Sequence, residues 1–193
     1  VSEIKIASFD PSLRNWGVAL TSFNTDTGEI LVSKLNLIQP DTIPKKELKG
    51  VRKSSDDLRR ARILHAGVAD ACAGCAIAIA EVPFGAQSSR AALSNGVVMG
   101  ILSSIPIPLI EVTPAEVKLT TVGSKTASKA EMIKWATEKH PEAGWLMRKL
   151  KGEMVFKNDN EHLADAVCAT YAGINTEQFR GAMEMLKSFG MTV

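Results

Sequence analysis

Residues 76–81 read Ala76-Ile77-Ala78-Ile79-Ala80-Glu81, five apolar residues followed by a carboxylate. A run this short, without polar alternation, suits a strand buried on both faces of a sheet. Upstream, Ile4-Lys5-Ile6-Ala7-Ser8-Phe9-Asp10 reads as a first strand and also ends on an acid. Residues 16–23 and 29–38 read as the second and third strands, with hairpin turn chemistry between them in Thr25-Asp26-Thr27-Gly28. Residues 107–112 read as a fifth strand. Leu58, Ala61, Ile63, Leu64, Ala66, Val68 and Ala69 carry a helical period across residues 56–73. Further helices are expected over 88–103 (Ser88 or Ser89 as cap), over 128–138 (stopped by His140-Pro141), over 160–172 and over 177–187. The polar stretch 39–53, with two prolines, reads as a loop. Three meandering strands, then helix, strand, helix, strand and further helices, predict one α/β domain over residues 1–193. Its mixed five-stranded sheet would have three antiparallel strands, then two parallel ones, with helices on both faces.

A chain of 193 residues, 45% hydrophobic and 23% charged, is large enough to bury a core without covalent staples. No apolar stretch approaches the ~20 residues of a membrane span, and Glu3, Lys5 and Asp10 interrupt what would otherwise be a leader-like start. Three cysteines fit a reducing interior better than a disulfide framework. Cys72 and Cys75 form a C-x-x-C, but no second pair completes a zinc site, and the motif closes a helix rather than opening one; buried small residues are the simpler reading. The net charge of +2 hides an uneven distribution: residues 45–62 and 118–151 each carry eight Lys/Arg against three Asp/Glu, and the remainder is acidic. Two basic segments suggest a surface for a polyanion, although solvated helix faces would look the same.

The chemistry gathers at the strand ends. Asp10 and Glu81 end two strands that this topology allows to lie side by side and parallel, about 4.8 Å apart, so that both project from one edge of the sheet. Two such carboxylates would repel each other, and a hard divalent cation removes that cost. In Asn160-Glu161-His162-Leu163-Ala164-Asp165-Ala166, His162 and Asp165 stand three apart and share a helix face. The apolar neighbours dock that helix on the core, which would bring both residues to Asp10 and Glu81. Three carboxylates and an imidazole suit Mg²⁺, with Mn²⁺ as substitute, better than zinc. Two such ions can stabilise the attacking water and the leaving oxygen of a phosphodiester. Taken singly, each residue has an ordinary alternative: a turn or cap aspartate, or a His–x–x–Asp contact on a helix surface. Their order and placement together favour a nuclease.

Phe9-Asp10-Pro11-Ser12-Leu13-Arg14-Asn15-Trp16-Gly17 resembles the opening of the RuvC Holliday junction resolvases. Leu64-His65-Ala66-Gly67-Val68 is similar to that family's first long helix. Ala80-Glu81-Val82-Pro83-Phe84 is similar to its second acidic motif, and residues 91–100 to the helix behind it. Val112-Thr113-Pro114-Ala115-Glu116-Val117-Lys118, with Thr121-Val122-Gly123 and Ala127-Ser128-Lys129, is similar to its DNA-contacting lysine segment. His162-Leu163-Ala164-Asp165-Ala166 closes the pattern, which spans roughly residues 4–174.

The resemblance implies an RNase H-like fold and a Mg²⁺-dependent endonuclease, with two ions per site. It implies a homodimer that resolves four-way DNA junctions by paired cuts near the branch point, because two sites on a two-fold dimer suit a two-fold substrate. It assigns Asp10, Glu81, His162 and Asp165 to catalysis and metal binding, and Lys118, Lys125 and Lys129 to DNA phosphates. Phe84 would stack on bases near the branch. Many members carry aspartate where His162 stands and others histidine; Glu161 could supply that carboxylate after a small helix rotation. The segments 40–53 and 142–158 look like additions to the compact pattern. Such a nuclease fits the cytoplasm of a bacterium or phage-infected host, or an organelle, with a branch-migration helicase as a further partner. Rival readings are a broader branched-DNA or flap endonuclease of the same fold and a non-catalytic junction-binding protein. Sugar-kinase and actin-like ATPases share the opening aspartate and glycine hairpin, but need two such lobes, and these 193 residues are too short for that and show no second Asp-x-Gly motif.

Overall fold

The computed structural model describes residues 3–43, 46, 50–83 and 85–188. Among the described residues the elements follow in this chain order: β1 (Glu3–Asp10), β2 (Trp16–Asn24), β3 (Ile30–Ile38), α1 (Lys53–Cys72), β4 (Ile77–Glu81), α2 (Ser89–Leu102), β5 (Leu109–Val112), α3 (Pro114–Thr121), α4 (Lys129–Lys139), β6 (Met147–Leu150), β7 (Glu153–Phe156), α5 (Asn160–Ile174) and α6 (Glu177–Ser188). The main sheet runs β3-β2-β1-β4-β5. β1, β2 and β3 pair antiparallel, and β4 and β5 add on in parallel. The expected mixed sheet is therefore present, with β1 central.

Strand alternation divides the core in two. Ile4 and Ile6 of β1 and Ile77 and Ile79 of β4 turn to the side covered by α3, α4, α5 and α6, where they meet Leu163, Val167 and Met132. Ala7 and Phe9, with Ala78 and Ala80, turn to the side of α1 and α2 and pack on Leu64, Val68, Val98 and Leu102. Because the period is two, Asp10 falls on the face of Ile4, Ile6 and Ser8, and Glu81 on the face of Ile77 and Ile79. Both acids therefore belong to the α5 side.

α5 is the helix that fixes the site, and two glycines let it lie close to the sheet. A Cβ on Gly17 of β2 would stand 2.0 Å from the His162 carbonyl oxygen. A Cβ on Gly173 of α5 would stand 2.6 Å from the side chain of Ile79. Between them, the buried Thr170 hydroxyl donates to Ser8 Oγ at 2.7 Å, which ties the helix directly to β1. On the opposite side, α1 and α2 are joined by the buried Asp57 and the exposed Arg90, whose guanidinium donates to both carboxylate oxygens.

Two elements go beyond the sequence reading. Residues 114–121 form a helix where only a lysine-bearing segment was expected; Thr113 caps it in a capping box with Glu116, and Pro114 sits in its first turn. The added segment 142–158 contains the antiparallel β6–β7 hairpin. Ser88 is the α2 cap, its side chain accepting from the Ala91 amide. Cys72 and Cys168 are buried and Cys75 partly so, all as free thiols; burial pushes Cys72 up to about 11 and also raises the other two, which makes them poor nucleophiles. No described helix is long and apolar enough to cross a membrane.

Candidate active site

The parallel register sets Phe9 beside Ala80, so the next residues on the two strands, Asp10 and Glu81, leave the sheet edge together. Above this edge lies the first turn and a half of α5. The His162 ring meets Asp10, with Nδ1 2.7 Å from Oδ2. On its far side Nε2 lies 3.2 Å from the Asn15 amide nitrogen.

The tautomer follows from the next link. Gln39 donates its Nε2–H to Asn15 Oδ1 at 2.9 Å, which leaves the Asn15 amino group facing the histidine. His162 Nε2 is then an acceptor, and Nδ1–H donates to Asp10. Ser12 secures the loop that carries Asn15, its hydroxyl donating to the Asn15 carbonyl and accepting from the Asn15 amide. The Asp10 contact also favours the charged imidazole and raises the His162 pKa. A second proton, on Nε2, would point at Asn15, with Glu161 Oε1 3.5 Å away as the acid able to receive it.

The remaining acids are crowded rather than bonded. Burial, then repulsion from Asp10 and Asp165, pushes Glu81 up to about 8, with Lys118 pulling the other way. Burial and Asp10 likewise push Asp165 up to about 7, against the pull of His162 and Lys129. Near neutrality both hold protons for part of the time, which is what a carboxylate does when it is desolvated among like charges without a cation. Among the described residues no three His, Cys, Asp or Glu side chains meet closely enough to hold a metal ion as they stand. The donor chemistry nevertheless suits a hard divalent cation, which would displace the protons on Glu81 and Asp165.

The basic residues divide. Lys129, the first residue of α4, donates to Glu161 Oε2 at 3.0 Å and senses Asp165 and Asp10. Lys118 on α3 is half-buried and near enough to lower Glu81. Lys125 is exposed in the turn between α3 and α4, and Phe84 lies outside the described residues. The structure thus brings Asp10, Glu81, His162 and Asp165 to one edge, with Lys118 and Lys129 at its border. Sequence reasoning missed Asn15 and Gln39, which orient the histidine, and the steric role of Gly17; among these, only Gly17 was signalled, as the glycine that follows the aspartate.

No family model matches the chain, and no curated protein matches its sequence. Solved structures do. Thermus thermophilus RuvC in complex with a Holliday junction substrate superposes with a TM-score of 0.61 at 18% identity, over 94% of this chain and 96% of that one. A second Thermus thermophilus RuvC structure gives 0.57 at 17% identity, over 97% of each chain. The yeast mitochondrial Holliday junction resolvase Ydc2 gives 0.52 at 11%, over 95% of this chain and 82% of that one. The chain therefore has the RNase H-like fold of the RuvC-type resolvases.

Proposed function

We propose that this chain is a metal-dependent endonuclease that resolves four-way DNA junctions by paired phosphodiester hydrolysis near the branch point. One observation carries the reading: Asp10 and Glu81 end adjacent parallel strands, and α5 delivers His162 and Asp165 to the same edge. A RuvC solved with a Holliday junction substrate and the yeast mitochondrial Holliday junction resolvase Ydc2 share this fold over 94% and 95% of this chain.

Asp10, Glu81 and Asp165 would hold Mg²⁺, with His162 as a fourth ligand or as the partner that orients Asp10. When bound, a pair of such ions supplies a water-derived nucleophile and neutralises charge on the scissile phosphate. The chain's own residues do the rest. The Asn15–His162 contact keeps the imidazole on Asp10, and swinging the ring from Asp10 towards Glu161 would free the carboxylate for coordination. A cation bound there would favour the deprotonated forms of Glu81 and Asp165. Lys118, Lys125 and Lys129 border the edge with positive charge for the DNA backbone, each contact adding to the salt dependence of binding.

A four-way junction has a two-fold axis, and a two-fold dimer sets one site against each of two opposed strands. α2 favours such pairing. Ala92, Gly96 and Gly100 recur at helical spacing on its exposed side, flanked by exposed Leu93 and Met99. Apart from the backbone of α2 itself, nothing among the described residues lies within 4 Å of where a Cβ on either glycine would stand, so a second helix can approach closely.

The test is a panel of labelled DNAs (an immobile four-way junction, a three-way junction, a flap and a linear duplex) incubated with Mg²⁺ or with EDTA. Paired, ligatable nicks near the branch of the four-way junction are expected in Mg²⁺ only. Equal cutting of flaps and junctions would instead identify a broader branched-DNA nuclease. Tight binding without cutting would leave a junction-binding protein.

A further inference from the structure

The residues of the β6–β7 hairpin are almost all exposed, with Val155 alone half-buried. Lys151 and Gly152 have φ of 50° and 96°, the two positive values of a type I′ turn, which matches the twist of a two-residue hairpin. Cross-strand pairs Met147–Phe156 and Lys149–Met154 share one face of the ribbon, and Arg148–Val155 and Leu150–Glu153 share the other. Met147, Leu150, Met154 and Phe156 are all exposed, Met154 at 62% and Phe156 at 47%. Basic residues alternate with them: Arg148, Lys149, Lys151 and Lys157 stand against a single acid, Glu153.

A two-stranded ribbon is marginal by itself, yet this one has a firm root. Buried Asn160 accepts from the Leu146 amide and donates to the Leu146 carbonyl, both at 2.8 Å, and the Lys157 amide donates to the same carbonyl at 2.9 Å. Asn160 is the first residue of α5, the helix that carries Glu161, His162 and Asp165. The hairpin's position is thereby coupled to the candidate active site.

We infer that the hairpin is a DNA-contacting arm, in which Arg148, Lys149 and Lys157 hold backbone phosphates beside the cleaved strand and Phe156 offers a stacking surface to an unpaired base. This rests on the nuclease reading above and adds to it a DNA-binding element outside the lysine segment. Apolar side chains interleaved with positive charge match a polyanion that also has flat apolar faces. A second copy of the chain fits less well, because a two-fold contact would set these cations against themselves.

Fluorescence anisotropy with a labelled four-way junction in EDTA, where nothing is cut, tests the arm apart from the chemistry. The Arg148→Gln/Lys149→Gln/Lys157→Gln protein should bind at least about tenfold more weakly at 0.1 M salt, and its log–log salt slope should flatten by about 0.9 for each phosphate that is no longer neutralised. Phe156→Ala should lose roughly five- to a hundredfold. Circular dichroism and sedimentation should match the wild type, since these side chains lie outside the core. Tight wild-type binding that the variants retain in full would overturn the arm and leave the nuclease reading standing. A loss of affinity accompanied by a fall in mass would overturn it in favour of a second copy as the occupant. Failure of the wild-type protein to bind any DNA would overturn both.

Discussion

The acids of α1 and those of the sheet edge have opposite electrostatics. On α1, Asp56 accepts from Arg59 and Arg60 and Asp57 from Arg90, and these guanidinium contacts hold both carboxyls below their ordinary range. At the sheet edge, Glu81 and Asp165 are pushed up to about 8 and about 7 by burial and then by repulsion from Asp10. One cluster is neutralised within the chain. The other keeps repulsion that folding alone gives no reason to retain, and perturbed, unneutralised acids in a prepared setting are a mark of function. Lys118 and Lys129 stand near the edge without cancelling it, Lys129 being taken first by Glu161.

The contrast can be broken most severely by moving α5. Gly17→Val would drive a side chain into the His162 backbone, which cannot rotate away. It should cost ~3 kcal/mol or more, lower the melting midpoint by about 6–12 °C and abolish activity; a calorimetric scan reads it. An unchanged midpoint would contradict the close approach of α5 to β2.

Asp57→Asn should destabilise by several degrees at pH 7, because it leaves Arg90 without its partner and weakens the tie between α1 and α2. Asp57 has a lowered folded pKa, so its contribution is present above the ordinary carboxylate range and is lost as pH falls through the folded value. The variant and the wild type should therefore converge in acid.

Glu81→Gln should do the reverse. With a folded pKa near 8 against an ordinary value of 4.5, Glu81 destabilises the metal-free protein increasingly as pH rises from about 4.5 to 8. The glutamine variant should melt a few degrees higher at pH 8 in EDTA, with the advantage gone near pH 4. Mg²⁺ should raise the wild-type midpoint and leave the variant nearly unmoved. Destabilisation by Glu81→Gln at pH 8 would make the edge an ordinary structural cluster. The same protonation predicts that cleavage at limiting Mg²⁺ climbs between pH 7 and 8, as Glu81 and Asp165 ionise.

Much of this was legible in the chain. The apolar run closing on Glu81, the strand closing on Asp10 and the i, i+3 pair on α5 are local patterns whose period and spacing carry their meaning. What escaped reading is of two kinds. The α3 helix had its full signal in Thr113-Pro114-Ala115-Glu116, a cap, a first-turn proline and a capping glutamate, which the lysine-segment reading passed over. The β6–β7 hairpin offered only four-residue strands and Lys151-Gly152 as a turn, too short for periodicity to register. Asn15 and Gln39 left no local trace, because a hydrogen bond across 24 or 147 residues of separation has no sequence period. The Asp10–His162 contact is of the same type: both residues were identified, but their hydrogen bond arises from packing, which Gly17 permits.

The most direct measurement pairs binding with cleavage for Asp10→Asn on a labelled four-way junction in Mg²⁺. If the sheet edge is the nuclease centre, the variant should bind the junction about as tightly as the wild type and keep its melting midpoint within a few degrees, while cutting falls by about a thousandfold or more, on the scale of losing an essential catalytic group. Junction cleavage that survives the substitution at near wild-type rate would contradict the account at its centre.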